Sequence, residues 1–132
     1  MLQIDFLERI LLECRLGGIQ TAVDTAGHVP FEYFKRVMPC TDIFLYDVKC
    51  IDSEKHKKYT GVDNRQILEN AEYLKQSEIP HTFRTPLIPS ITDTEENLSA
   101  IERIVKGSAW ERLDYNPLAG AKYASVGRKF NL

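Results

Sequence analysis

Asp24, Asp47, Lys49 and Arg84 stand where short apolar runs of this 132-residue chain come to a stop. Two acids and two bases gathered at one mouth would suit a zwitterionic ligand that carries a carboxylate. Arg84 would take that carboxylate with its planar fork and Lys49 as a point charge. Asp24 and Asp47 would take an ammonium group or a hard cation. Asp47 and Lys49 are two apart, hence on one side of an extended strand. Thr25 adds a hydroxyl beside Asp24, and Asp114 or Asn116 adds an acid or an amide at the last strand end. Each residue also has an ordinary use. Asp24, shortly before Gly27, serves equally as a turn cap. Asp47 and Lys49 make a local surface pair worth little energy, and Arg84 before Thr85-Pro86 suits an exposed edge strand. His28, His56 and His81 read as loop or surface residues, and Cys14, Cys40 and Cys50 as small fillers.

The elements that must position these groups alternate in pattern. Phe6, Leu7, Ile10, Leu11 and Cys14 recur at helical spacing, and Gly17-Gly18 ends the run. Ile19 to Val23 is a short β-branched strand pattern ending at Asp24-Thr25-Ala26-Gly27. Pro30 opens a second helix with Phe31, Phe34, Val37 and Met38 inward. A strand from Asp42 to Val48 follows, then a polar loop from Lys49 to Asp63. Asp63 or Asn64 caps a helix that buries Ile67, Leu68, Ala71 and Leu74. A strand runs from His81 to Ile88, with Pro86 at its edge or end. Asp93 and Glu96 resemble a capping box ahead of Leu98, Ile101, Ile104 and Val105. A last strand spans about Glu111 to Tyr115, before an irregular tail with Pro117 and Gly120. The order α-β-α-β-α-β-α-β predicts an α/β fold with a parallel sheet, open or closed into a barrel, as one domain over residues 1–132. In such folds the carboxyl ends of the strands line the site.

Composition narrows the classes. Hydrophobic residues make up 43% and charged residues 27%, with a formal net charge of -2, the balance of a globular protein. No basic run with interleaved aromatics predicts nucleic-acid binding, and no apolar stretch approaches the ~20 residues of a membrane span. Three widely spaced cysteines form neither a disulfide framework nor a close metal-ligand pair, which suits a reducing, cytoplasmic compartment.

Five ordered blocks resemble the radical-SAM activating enzymes of glycyl radical enzymes, of which the pyruvate formate-lyase activating enzyme is the best-known type. They are Thr21-Ala-Val-Asp-Thr-Ala-Gly27 and Asp42-Ile-Phe-Leu-Tyr-Asp-Val-Lys49 at two strand ends. Then come Asp52-Ser-Glu-Lys-His-Lys-Lys-Tyr-Thr-Gly-Val62 with Ile67-Leu-Glu-Asn70, Arg84-Thr-Pro-Leu-Ile-Pro89, and Asn116-Pro-Leu with Lys122-Tyr123. The resemblance implies a partial TIM-type (β/α)6 barrel holding a [4Fe–4S] cluster and S-adenosylmethionine. It implies cleavage of the sulfonium to a 5′-deoxyadenosyl radical that takes hydrogen from one glycine of a partner glycyl radical enzyme. It also implies a flavodoxin- or ferredoxin-type electron donor. By position it puts Lys49, Arg84 and Asn116 against S-adenosylmethionine. Asp24, Thr25 and Asp47 would border its carboxylate and a monovalent cation, and Gly27 would let the Asp24 loop turn close to the bound peptide.

The chain departs from the family pattern in two places. The CxxxCxxC cluster loop and the GGEP segment are absent, and Met1-Leu-Gln matches the residues just after them. About four of the six strands are therefore expected, with no cluster, no catalysis by this chain alone, and self-association through a bare strand edge. Asn116 replaces the His usual at the last strand end, so that contact cannot titrate. Two readings compete with the activase fragment. One is a lyase or aldolase with a Schiff base at Lys49; the other is a truncated, non-enzymatic binding or dimerising module.

Overall fold

The computed structural model describes residues 1–116, 118, 122, 123 and 125–127. Its elements are α1 (Ile4–Leu16), β1 (Ala22–Thr25), α2 (Phe31–Val37), a 3-10 turn (Met38–Cys40), β2 (Ile43–Asp47), α3 (Ser53–Thr60), α4 (Arg65–Gln76), β3 (His81–Pro86), α5 (Glu95–Val105) and β4 (Ala109–Leu113). All strand pairs are parallel and the order is β1-β2-β3-β4, so an α/β chain with a four-stranded parallel sheet is what folds.

Alternation along the strands sorts side chains onto two faces. Val23, Phe44, Tyr46, Val48, Phe83 and Thr85 point to one face and are all buried. Phe34 and Val37 of α2, Ile67, Ala71 and Leu74 of α4, and Ile101 and Val105 of α5 join them in one core. A file of rings crosses it. Phe34 lies 5.1 Å from Phe44, Tyr46 meets Phe34 edge-on at 6.0 Å, and Phe83 meets Tyr46 at 5.8 Å. Burying one such ring contributes about 1.5–3 kcal/mol. The opposite face carries Ala22, Asp24, Ile43, Leu45, Asp47, Thr82, Arg84, Ala109 and Glu111, none of them buried.

Several boundaries differ from the sequence reading, each for a local reason. The polar stretch after Lys49 contains a helix, α3, because Asp52 caps it by accepting from the Lys55 N–H (2.7 Å) and Gly61 ends it at φ 86°. The first strand begins at Ala22 rather than Ile19. The Ile19 and Gly18 amides instead close α1, donating to the carbonyls of Cys14 (2.8 Å) and Arg15 (3.1 Å) with Gly18 at φ 69°. Asp24 and Thr25 therefore lie within β1. Of the expected inward face of α1, Leu11 is buried but Phe6 is 65% exposed and Ile10 45%, while Ile4 takes the inward place. Thr94, not Asp93, caps α5 by accepting from Asn97; Asp93 accepts from the Ser90 N–H (2.7 Å) and closes the preceding turn. The last strand spans Ala109–Leu113, set by its register on β3, so Asp114 and Tyr115 follow it. His56 is buried, its Nδ1 donating to the Val62 carbonyl (2.7 Å) to brace the turn after α3. Pro117 and Gly120 lie outside the described residues.

Candidate functional site

Register places the charged groups together. Asp47 pairs with Arg84 and Arg84 with Glu111 across neighbouring strands, so all three share the open face at one level. Asp24 sits one row lower on the same face, on β1 opposite Leu45. The Arg84 guanidinium spans the gap. Its Nε and Nη2 donate to Asp47 Oδ1 at 3.1 and 2.9 Å, and Nη2 donates to Asp24 Oδ1 at 2.5 Å. Lys49 Nζ donates to Asp47 Oδ2 at 3.1 Å. Side-chain exposure grades outward, from 15% for Arg84 and 19% for Asp47 to 31% for Lys49 and 61% for Asp24. The Asp24 hydrogen bond, chiefly, holds the Arg84 cation more firmly charged than usual, with Asp47 adding to it against partial burial.

Two acids balance two bases, so the cluster is neutral. A simple anion drawn to Arg84 would displace Asp24 and leave a carboxylate without a partner. A zwitterion exchanges pairs instead: its carboxylate takes Arg84 and Lys49, and its ammonium takes Asp24. No charge is orphaned, which avoids the cost of an unpaired, half-buried ion. The guanidinium also occupies the space between Asp24 and Asp47, where the family resemblance implies a monovalent cation.

The loops behind these groups are fixed locally. Thr25 Oγ1 accepts from the Gly27 N–H (3.0 Å), making Thr25 a turn residue of the loop. Gly27 has φ 68°, and a Cβ there would lie 1.7 Å from the Tyr46 hydroxyl oxygen. Only glycine fits. Tyr46 is itself pinned, donating to the Ile67 carbonyl at 2.7 Å, and burial raises its pKa well above the ordinary tyrosine range. Asn116 is exposed three residues past β4, and its Oδ1 accepts from the Leu118 N–H (2.9 Å). It makes a local turn rather than joining the Arg84 cluster.

Sequence reasoning missed Glu111, because only strand register puts it beside Arg84. It named Asn64 as a cap candidate and Asn70 within a resemblance block, but missed that these two and Asn97 are buried and bonded to loop carbonyls. The cysteines do not converge. Cys14 lies on α1, Cys40 in the 3-10 turn and Cys50 after β2, and burial raises the Cys50 thiol pKa. Among the described residues no group of three or more His, Cys, Asp or Glu is placed to hold a metal ion. The residues present therefore do not fit an iron–sulfur cluster, whereas the four-charge cluster fits the amino-acid end of a ligand. No helix among the described residues is long and apolar enough to cross a membrane.

Comparison with known proteins bears on the family and the fold. Residues 1–100 match the Radical SAM superfamily. The chain is 35% identical over 135 residues to the (2S)-3-sulfopropanediol sulfolyase activating enzyme of Bilophila wadsworthia, covering 98% of this chain and 45% of that protein. It is 34% identical to the trans-4-hydroxy-L-proline dehydratase activating enzyme of Clostridioides difficile, covering 96% and 44%. The chain thus spans less than half the length of these relatives. Among solved structures, a domain of a pyruvate-formate lyase-activating enzyme from Bacteroides vulgatus superposes with a TM-score of 0.76 at 30% identity, over 84% of this chain and 69% of that one. Streptococcus suis SuiB shares the fold, with a TM-score of 0.69 at 12% identity, over 86% and 27%.

Proposed function

The chain belongs to the radical SAM superfamily, and from that premise we propose that it is part of a glycyl radical enzyme activating enzyme, holding the amino-acid end of S-adenosylmethionine. The observation that carries this reading is the neutral Asp24–Arg84–Asp47–Lys49 cluster on the uncovered sheet face. Arg84 and Lys49 would bind the methionine carboxylate, Asp24 its ammonium, and Asp47 would hold both cations in place. Bound in the complete enzyme, S-adenosylmethionine supplies the radical that takes hydrogen from a glycine of the partner protein. The cysteines of this chain do not fit the cluster that such chemistry needs, so the chain by itself would bind ligand without reacting. The partner would be a glycyl radical enzyme, since the relatives are activating enzymes for a sulfolyase and a dehydratase. A flavodoxin- or ferredoxin-type donor and a cytoplasmic setting complete the proposal.

Calorimetric titration of S-adenosylmethionine into the chain tests it. Arg84→Ala and Lys49→Ala should each weaken binding about tenfold or more, the worth of a charge-assisted hydrogen bond. Unchanged affinity in both would remove the site assignment.

The Schiff-base reading of Lys49 loses its motive. Its ammonium lies against Asp47 and its side chain is 31% exposed, not in a dry pocket. A self-associating module keeps one specific support: Leu2, Phe6, Leu16 and Ile19 are exposed at 94, 65, 82 and 61%, and β1 is an edge of the sheet. Concentration-dependent mass in sedimentation would favour it; a monomer at all concentrations would end it.

A further inference from the structure

Three buried asparagines grip the backbone at Lys49 and just beyond the charged strand ends. Asn97, in the first turn of α5, donates its amide to the carbonyls of Lys49 (3.0 Å) and Thr92 (2.9 Å), and its Oδ1 accepts from the Ile51 N–H (3.0 Å). Asn64, at the start of α4, donates to the carbonyls of Cys50 (2.9 Å) and Ile51 (2.7 Å). Three successive carbonyls, Lys49 to Ile51, thus end on asparagine amides. Asn70, inside α4, does the same for the loop after Asp24 and Thr25, donating to Gly27 (2.8 Å) and Val29 (3.0 Å).

Asn64, Asn70 and Asn97 are all the buried asparagines among the described residues, at 3, 1 and 6% exposure. Burying an amide is costly unless every polar atom is matched, and asparagine is a poor residue inside a helix. An apolar residue at Asn70 or Asn97 would suit the helices better. The amides act on the loop that follows Asp24 and Thr25, on the segment that begins at Lys49 and, through Thr92, on the turn ahead of α5. Loop backbone lacks the ladder partners that fix a strand, so a side chain fixed in a helix must supply them. The cluster needs such support because a bidentate arginine and a lysine can share one carboxylate only if their Cα atoms stay in register.

We propose that Asn97 and Asn64 are positioning residues for Lys49, and Asn70 for the Asp24–Gly27 turn, holding both loops in the ligand-binding arrangement before ligand arrives. The inference rests on the S-adenosylmethionine reading above. Its test is a double-mutant cycle on the whole 132-residue chain, with S-adenosylmethionine titrated calorimetrically. Asn97→Ala should weaken binding about tenfold in the parent background, comparable to losing the Lys49 contact itself. In a Lys49→Ala background the same substitution should cost nothing further, because Asn97 acts through Lys49. Additive losses would overturn the proposal.

Should Asn97→Ala fail to fold, Asn97→Asp keeps the acceptor for the Ile51 N–H while losing both donated bonds. Hydrogen exchange then decides. Amides of residues 49–51 should exchange faster while those of Phe44 to Tyr46 keep their rates; equal acceleration of both would mean a merely structural role. A parent chain that binds no S-adenosylmethionine would overturn the ligand reading instead, a result visible before any substitution is made. The exchange comparison would then still accept or reject the grip of the amides on the loop.

Discussion

The two faces of the same four strands follow opposite rules. On the helix side Phe44, Tyr46, Phe83 and Val48 are sealed, each at 1% exposure or less. On the other side Asp24, Asp47, Arg84 and Lys49 form the charged cluster, at positions that alternate with the core residues. One face contributes the stability of the fold, while the other holds matched charges whose mutual attraction in water is small. The difference teaches where substitutions should register: on stability for one face, on ligand affinity for the other.

Phe44→Ala would separate the faces most strongly. It should cost about 3–5 kcal/mol of stability in chemical denaturation, as for other buried rings truncated to a methyl. Gly27→Ala breaks the boundary between the faces, since its Cβ would meet the Tyr46 hydroxyl and sit at a left-handed φ. A loss of about 2–4 kcal/mol is expected from overpacking and strain together, read in the same experiment. Arg84→Ala should reverse the pattern, with a small change in denaturation midpoint and a drop in S-adenosylmethionine affinity of about 1.5–3 kcal/mol. A large stability loss at Arg84, or none at Phe44, would erase the distinction.

Smaller effects sharpen it. Tyr46→Phe keeps the ring but removes the hydroxyl bond to the Ile67 carbonyl, costing about 1 kcal/mol. Asp42, outside both faces, accepts from the Thr21 N–H at 2.6 Å and from its hydroxyl at 3.0 Å, and these bonds hold its carboxyl below the usual range. The folded-state pKa is depressed, so its contribution is complete above about pH 4 and fades as pH falls through the folded value. Asp42→Asn should lower stability slightly at neutral pH and converge with the parent chain at acid pH, which flattens that limb of the curve.

Much of this was legible in the sequence, and the exceptions have physical causes. Alternation of apolar segments predicted a parallel α/β sheet, and Asp24, Asp47, Lys49 and Arg84 did converge. Helix α3 was hidden because its residues, Ser53 to Thr60, are nearly all polar; it is held by a capped start and a glycine end rather than by an apolar face. Ile19 looked like strand, yet its amide is spent closing α1. Asn116 follows a strand end in sequence but turns on itself, because an Asx turn two residues on competes for its side chain. The place of Glu111 and the loop contacts of the three asparagines escaped for another reason. Register across strands and reach from helix to loop are tertiary facts, and spacing along one segment does not encode them.

The most direct measurement compares two ligands on the unaltered chain: S-adenosylmethionine and its decarboxylated form, which keeps the sulfonium and ammonium but lacks the carboxylate. The account predicts at least about tenfold tighter binding of the zwitterionic form, because only it can exchange partners with the Asp24–Arg84 pair and leave no charge alone. Equal affinity for the two, or preference for the decarboxylated form, would contradict the claim that the open face of the sheet is built around a carboxylate and an ammonium together.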